Sequence, residues 1–143
     1  MHPLLAHLPQ QPPFRFVDDV TEMDEQHIRG HYRFRADEYF YAGHFPGQPL
    51  TPGVILIECM AQIGLVAFGL HLLGEQRETA KGMAFSSSEV EFLAPVYPEQ
   101  RVEVVAEKVY FRLGKLKVKA QLQLPDGVVA ARGTLAGMVL RGR

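Results

Sequence analysis

The chain has 143 residues, of which 47% are hydrophobic and 22% charged, and its formal net charge is -1. This length suits one domain spanning residues 1–143, with a substantial core. The near-neutral charge excludes the strongly basic surface that nucleic-acid binding requires. The single cysteine, Cys59, excludes an internal disulfide framework and a cysteine-rich zinc site.

The first third of the chain predicts two strands and a long loop. Its N-terminal stretch lacks the basic and long apolar regions of a secretory signal, so we expect a cytoplasmic protein. A first strand is predicted over residues 14–20. A second is predicted over residues 27–35, where apolar side chains alternate with charged ones. Residues 36–50 form a loop, and loops of this size in compact domains are often functional.

A very apolar segment follows the loop, over residues 54–73. Its length would suffice to cross a bilayer. However, Glu58 and Gln62 would then face hydrocarbon, and no basic cluster or aromatic belt flanks the segment. We therefore predict a helix buried inside a soluble fold, with no membrane association. Thr51 is its predicted N-cap, and the helix should end near Gly74.

The second half of the chain predicts antiparallel strands. Two of them cover residues 83–93 and 102–113, and a hairpin joins residues 115–124 to residues 128–140 through the turn Pro125-Asp126-Gly127. The sequence thus predicts one long buried helix and five or six strands. It predicts an α+β fold, in which a curved antiparallel sheet wraps around the helix with help from a second subunit.

The loop and the helix carry a histidine and a carboxylate fourteen residues apart, His44 and Glu58. Each alone is most simply structural, but together they indicate chemistry. Gln62 follows Glu58 by one helical turn, so its amide can hold the carboxylate. Burial raises the pKa of a carboxyl group, and such an acid beside a histidine forms an acid–base pair. Gly53 is expected in the first helical turn, where its N–H can donate to a ligand oxygen.

These residues lie in the pattern GHFPGxPxxPGVxxxExMAQ, which runs from Gly43 to Gln62. The pattern resembles the signature of the hotdog-fold 3-hydroxyacyl-[acyl carrier protein] dehydratases. The segments PPFRFVDDV and FLAPVYP also resemble the family's, so the likeness covers nearly the whole chain. It implies the hotdog fold, an antiparallel sheet around a long central apolar helix. It further implies homodimers whose sheets join and whose sites are shared across the interface, with a trimer of dimers as a further option.

The resemblance implies a lyase that dehydrates (3R)-3-hydroxyacyl-[acyl carrier protein] to the trans-2-enoyl thioester. His44 takes the role of base and Glu58 that of acid, although which of them moves which proton stays open. The Gly53 N–H takes the role of oxyanion donor. Glutamate at position 58 indicates the dehydratase-only branch, because the dehydratase/isomerase branch typically has aspartate. No metal or cofactor is implied beyond the phosphopantetheine arm of the acyl carrier protein.

Further residues are assigned around this pair. Phe45 and Val54 are expected to contact the substrate, and Gln62 to support Glu58. Leu93 and Ala94 stand where the family usually carries basic residues that dock an acidic carrier protein. This departure leaves open a specialised pathway, such as polyene or polyketide-like lipid assembly, beside fatty acid biosynthesis.

Two other functions are compatible with the fold. A hotdog acyl thioesterase would hydrolyse the same thioester, commonly with a carboxylate that activates water and without the histidine. A non-catalytic partner subunit of a dehydratase heterodimer would be free to lose His44, Glu58 or Gly53. The presence of all three residues favours the dehydratase.

Overall fold

Six strands form one antiparallel sheet in the computed structural model, which describes residues 1–141. Their spatial order is β1-β2-β4-β5-β6-β3, with every neighbouring pair antiparallel. The strands are β1 (Asp19–Met23), β2 (His27–Arg33), β3 (Ala80–Phe92), β4 (Arg101–Arg112), β5 (Lys115–Gln123) and β6 (Val129–Arg141). The four strands predicted in the second half of the chain agree closely with β3 to β6.

Between β2 and β3 the chain forms a helix in three consecutive segments, here called the central helix. These are α1 (Gly53–Ala61), a π-helical segment (Gln62–Ala67) and α2 (Phe68–Leu73). A 3₁₀ segment follows at Gly74–Thr79. The π-helical segment is buried throughout and contacts β2, β3, β4, β5 and β6. The sheet therefore covers the central helix, as the apolar sequence predicts.

Within residues 1–141, one helical stretch is long and apolar enough to cross a membrane, Gly53–Thr79. Of its most apolar 18-residue window, 78% is buried inside the protein. The apolar surface is thus covered by the sheet, as in the core of a soluble protein. The prediction of a buried helix is confirmed.

Strand β5 shows why this sheet packs on the helix. Leu116, Val118 and Leu122 alternate with lysine and glutamine and are completely buried. Because successive side chains point to opposite faces of a strand, the apolar set lies against the helix. Each such buried side chain contributes about 1.5–3 kcal/mol. Gly64 of the π-helical segment permits the close approach, since a Cβ there would lie 3.2 Å from the Cβ of Ala106.

The first predicted strand, residues 14–20, is wrong in its position, because β1 begins only at Asp19. In the preceding segment the Asp18 N–H donates to the His31 carbonyl of β2 (2.8 Å), but Phe14 and Phe16 do not continue this pairing. Instead, the Gln62 side chain accepts a hydrogen bond from the Phe16 N–H (2.7 Å) and donates one to the Phe14 carbonyl (2.8 Å). A side chain from the helix thus satisfies this backbone, which leaves it irregular.

The predicted N-cap is also wrong. Pro52 occupies the N-cap position of α1, and no side chain caps this helix end. The Thr51 hydroxyl lies 2.6 Å from the Tyr41 hydroxyl, and the Thr51 N–H donates to the Val96 carbonyl (2.9 Å). Thr51 therefore ties the loop and the segment after β3 to the start of the helix. The predicted helix end near Gly74 is confirmed, since α2 ends at Leu73.

Candidate active site

His44 lies in the loop between β2 and α1, and Leu50 holds it in place. The Leu50 N–H donates to the His44 carbonyl, and the Leu50 carbonyl lies 2.8 Å from Nδ1 of the His44 ring. A carbonyl only accepts hydrogen bonds, so Nδ1 carries a proton, and in the neutral ring Nε2 carries the lone pair. The Phe45 ring stacks on the imidazole, with ring centroids 4.0 Å apart. The loop therefore anchors the His44 ring through Nδ1.

Glu58 lies on α1, half-buried, and Gln62 holds it. Nε2 of Gln62 donates to Oε2 of Glu58 at 2.9 Å. The Gln62 side chain is completely buried, and its bonds to the backbone of Phe14 and Phe16 fix which end of the amide faces Glu58. Burial raises the pKa of the Glu58 carboxyl, while the hydrogen bond from Gln62 lowers it in part. Glu58 is thus a positioned carboxyl group whose pKa lies above its ordinary value.

Three of the predicted site residues, His44, Gly53 and Glu58, line two separate cavities. His44 and Gly53 share a cavity of about 430 Å³, together with Leu50, Thr51 and the segment from Phe92 to Val96. Glu58 lines another cavity, of about 70 Å³, together with Gln10, Ala61, Leu65, Val66, Met83 and Phe85. The fold of one chain therefore brings His44 to the start of the central helix and Glu58 to a different opening.

Gly53 is tightly packed on one side. A Cβ at this position would lie 2.8 Å from Cζ of Phe92, so a larger residue would have to displace that ring. Gly53 is the first residue of α1, where backbone N–H groups have no intrahelical acceptor. Val54 and Phe45, the predicted substrate contacts, are 72% and 51% exposed and lie at the same end of the helix.

The sequence did not predict several contacts that position the site residues. The Leu50 carbonyl orients His44, and the backbone of Phe14 and Phe16 orients Gln62. Backbone groups carry no side-chain signal, so no motif could have indicated them. Gln10 lines the Glu58 cavity from the N-terminal segment, and its distance in sequence from the motif concealed it.

Comparison with known proteins assigns this chain to a family. A family model described as the FabA-like domain matches residues 8–132. The 3-hydroxyacyl-[acyl-carrier-protein] dehydratase FabZ of Herpetosiphon aurantiacus is 35% identical over 136 residues, which cover 92% of this chain and 92% of that protein. FabZ of Thermus thermophilus is 35% identical over 143 aligned positions, which cover 97% of this chain and 95% of the relative.

A solved structure confirms the fold. The dehydratase heterocomplex ApeI:P from Xenorhabdus doucetiae superimposes with a TM-score of 0.83, at 15% sequence identity, over 100% of this chain and 93% of that chain. The predicted α+β hotdog fold is confirmed. Because the family match spans most of the chain and the FabZ relatives align over nearly all of it, the chain belongs to the FabA-like family of hotdog 3-hydroxyacyl-[acyl-carrier-protein] dehydratases.

Proposed function

We propose that this protein removes water from (3R)-3-hydroxyacyl-[acyl carrier protein] to form the trans-2-enoyl thioester, in fatty acid or related lipid biosynthesis. The observation that carries the proposal is the pair of complementary groups. The Leu50 carbonyl engages Nδ1 of His44, which leaves Nε2 as the ring nitrogen that can accept a proton, and burial raises the pKa of the Glu58 carboxyl. One group can accept a proton while the other donates one, as an elimination requires.

His44 acts as the base. Its Nε2 takes the proton from C2 of the substrate, while the bond from Nδ1–H to the Leu50 carbonyl keeps the ring oriented and stabilises the imidazolium that forms. The electron pair of the broken C2–H bond forms the C2–C3 double bond. This assignment follows from the tautomer, because Nδ1 is already engaged and Nε2 is the nitrogen left to react.

Glu58 acts as the acid. As the C3–O bond breaks, its electron pair leaves with the hydroxyl oxygen, which takes the proton from the Glu58 carboxyl and departs as water. Since Oε2 accepts from Gln62, the acidic proton is carried on Oε1. Glu58 becomes a carboxylate and His44 an imidazolium. Return of one proton from His44 to Glu58 through water restores both groups.

The thioester carbonyl gains negative charge as the C2 proton leaves, and a donor must stabilise it. The Gly53 N–H supports this role, because it lies in the His44 cavity at the positive end of the helix dipole. Val54 and Phe45 are exposed and adjoin Gly53 and His44 in the chain, where they can contact the phosphopantetheine arm or the acyl group. The acyl carrier protein supplies that arm, and the reaction takes place in the cytoplasm.

The separation of the two cavities supports an active site shared between two subunits. Strand β3 lies at the edge of the sheet, is 13 residues long, and leaves Phe85 45% exposed beside the Glu58 cavity. A long, unpaired, partly apolar edge is a template for pairing with another chain. Pairing of two β3 strands would join the sheets of a homodimer. His44 of one protomer would then meet Glu58 of the other, and such dimers can assemble further into a trimer of dimers.

The activity is tested by adding water to a crotonyl thioester and following the loss of absorbance of the conjugated enoyl group. Release of free thiol, measured in the same reaction, reports thioester hydrolysis. We expect rapid loss of enoyl absorbance without thiol release. Thiol release as the main product would instead identify a thioesterase, and inactivity with carrier-bound substrate would identify a partner subunit.

The shared site is tested by subunit exchange between His44→Ala and Glu58→Gln chains. In a mixed dimer, one site loses both groups while the other keeps an intact His44 and an intact Glu58. Two inactive proteins should therefore regain up to about a quarter of wild-type activity on random exchange. Mixed dimers that are verified by mass and stay inactive would show that each chain carries its own pair.

A further inference from the structure

The hairpin formed by β4 and β5 concentrates positive charge in one part of the chain. Residues 108–119 contain no acidic residue and five cationic ones, namely Lys108, Arg112, Lys115, Lys117 and Lys119. Leu116 and Val118 are completely buried and face glycines of the central helix. Because successive side chains of a strand point to opposite faces, Lys115 and Lys117 lie on the outer face of the sheet.

The strand register brings three of these cations together on that face. Arg112 of β4 lies directly opposite Lys115 of β5, and Tyr110 lies directly opposite Lys117. Residues that face each other across an antiparallel pair point to the same side of the sheet. The Arg112 guanidinium lies over the Tyr110 ring, 4.4 Å from its centroid, which holds it on this face. We call Arg112, Lys115 and Lys117 the hairpin patch.

The hairpin patch keeps a repulsion that the rest of the sheet avoids. Like charges directly opposite each other destabilise a sheet, and Arg112 and Lys115 form such a pair. Two residues beyond the patch, Lys119 instead faces a carboxylate, that of Glu107. Within residues 1–141, the arginines that form ion pairs with carboxylates lie elsewhere: Arg29, Arg33, Arg35 and Arg132. A local rule broken at a cost in stability is typical of a functional surface, here one that receives negative charge.

The surface beside the His44 cavity has a different character. Leu93 and Ala94 line this cavity, and the exposed Glu89 and Glu91 precede them on β3. These carboxylates would repel an acidic protein that delivers a substrate to the cavity. Such a protein therefore needs a positive surface elsewhere on the assembly.

The homodimer proposed above brings the hairpin patch to the cavity. When two β3 strands pair antiparallel about a two-fold axis, the Ala80 end of one strand lies beside the Phe92 end of the other. The patch lies towards the Ala80 end of its own sheet, because Lys115 is opposite Met138, and Met138 is opposite Ala84. The wider cavity lies at the Phe92 end. The β5 strand of one subunit is then three strand spacings, or about 14 Å, from β3 of the other.

We infer that the hairpin patch of one subunit docks the acidic surface of the acyl carrier protein while the phosphopantetheine arm enters the His44 cavity of the other subunit. The inference rests on the dehydratase activity and the homodimer proposed above. Opposite charges on the two surfaces speed the encounter of the proteins and fix their orientation. The patch takes no part in the chemical step, so it affects only substrates that are attached to the carrier protein.

The test is the double variant Lys115→Glu with Lys117→Glu, assayed by water addition to two crotonyl thioesters. With crotonyl-[acyl carrier protein], made with a bacterial carrier protein, we expect kcat/KM to fall at least tenfold. With crotonyl-N-acetylcysteamine, which has no carrier, kcat/KM should stay within twofold of wild type. The difference between wild type and variant should shrink as sodium chloride is added, because salt screens charges on the surface.

Two controls separate docking from effects on the fold. Lys115→Glu alone should leave the melting temperature unchanged or raise it, because a carboxylate then lies opposite Arg112. Arg101→Glu is the matched control for charge, since Arg101 is exposed at the other end of β4, about 35 Å along the strand from the patch. It should keep kcat/KM with the carrier-bound substrate within threefold of wild type.

The outcomes distinguish this inference from the proposed activity. A wild-type protein that is inactive with both thioesters overturns both proposals. An active wild type overturns the docking role alone if the double variant stays within twofold of it with the carrier-bound substrate. An equal loss with both thioesters, or an equal loss in Arg101→Glu, does the same. Unchanged carrier kinetics with lost binding to phosphatidylglycerol vesicles would assign the patch to a membrane surface instead. If the double variant does not fold, Lys115→Gln with Lys117→Gln replaces it, with an expected loss of at least threefold for the carrier-bound substrate.

Discussion

The loop around His44 and the helix around Glu58 hold their side chains in opposite ways. His44 is tied to a loop whose neighbours, from Phe45 to Pro49, are exposed, and its anchors are the backbone groups of Leu50. Glu58 projects from a packed helix, and Gln62 connects it to the N-terminal segment. The loop leaves a nitrogen free in a wide cavity, whereas the helix confines a carboxyl group in a narrow one. The substrate must be able to reach the base, whereas burial of the acid raises its pKa and so favours the protonated form.

Replacing His44 or Glu58 should have the largest effect on dehydratase activity. We expect His44→Ala and Glu58→Gln each to lower kcat/KM for dehydration by at least about 100-fold, the usual scale for general acid–base catalysis. Both variants should keep their far-ultraviolet circular dichroism, because neither removes a core contact. Activity within a few-fold of wild type in either variant would remove that residue from the mechanism.

Gln62→Leu should disturb the helix region while leaving the loop intact. The substitution leaves the Phe16 N–H and the Phe14 carbonyl unpaired and frees Glu58. We expect a loss of unfolding free energy of about 3 kcal/mol, measured by denaturant titration, and a loss of activity of tenfold or more. It also removes the hydrogen bond that lowers the pKa of Glu58. The alkaline limb of the remaining activity should therefore move to higher pH.

Gln76→Leu is the control for this variant, since Gln76 is exposed. Its stability should stay within about 0.5 kcal/mol of wild type, as for most surface substitutions. If Gln62→Leu were equally mild, the network around Glu58 would not be what holds the N-terminal segment.

The pH dependence of stability should sharpen the contrast between the two side chains. Burial raises the pKa of Glu58 above its ordinary value of 4.5, so the folded protein retains a proton that the unfolded chain releases. The contribution of Glu58 to stability is therefore fully present below about pH 4.5 and is lost as pH rises through the raised pKa. Glu58→Gln should match wild type in melting temperature at pH 4 and exceed it increasingly as pH rises through the raised pKa of Glu58. A difference that does not change with pH would contradict the raised pKa.

Tyr41→Phe should have the smallest effect of these substitutions, and it tests how the loop is held. It removes the hydrogen bond between the Tyr41 and Thr51 hydroxyls, which joins the loop to the start of α1. We expect a loss of about 1 kcal/mol in unfolding free energy and a fall of a few-fold in kcat/KM. Tyr39→Phe is the matched control, because Tyr39 is 55% exposed. An equal effect of the two substitutions would show that the bond to Thr51 does not position the loop.

The sequence by itself determined the features that local patterns carry. Strict alternation along residues 115–124 predicts β5, because a half-buried strand has a period of two. The long apolar run predicts the central helix, and the spacing of Glu58 and Gln62 predicts their hydrogen bond, since residues four apart meet on one helix face. The family could be recognised because its motif gathers the base, the acid and the helix start into one stretch.

Only the tertiary structure decided the contacts between distant segments. Gln62 is bonded to the backbone 46 and 48 residues earlier in the chain, which displaced the predicted first strand. The Thr51 hydroxyl contacts the Tyr41 hydroxyl instead of capping the helix. The separation of His44 and Glu58 into two cavities, and the position of Gln10 beside Glu58, likewise depend on how the loop and the N-terminal segment pack. Such partners are chosen by burial and by the pairing of backbone groups, which leave no periodic signal in the sequence.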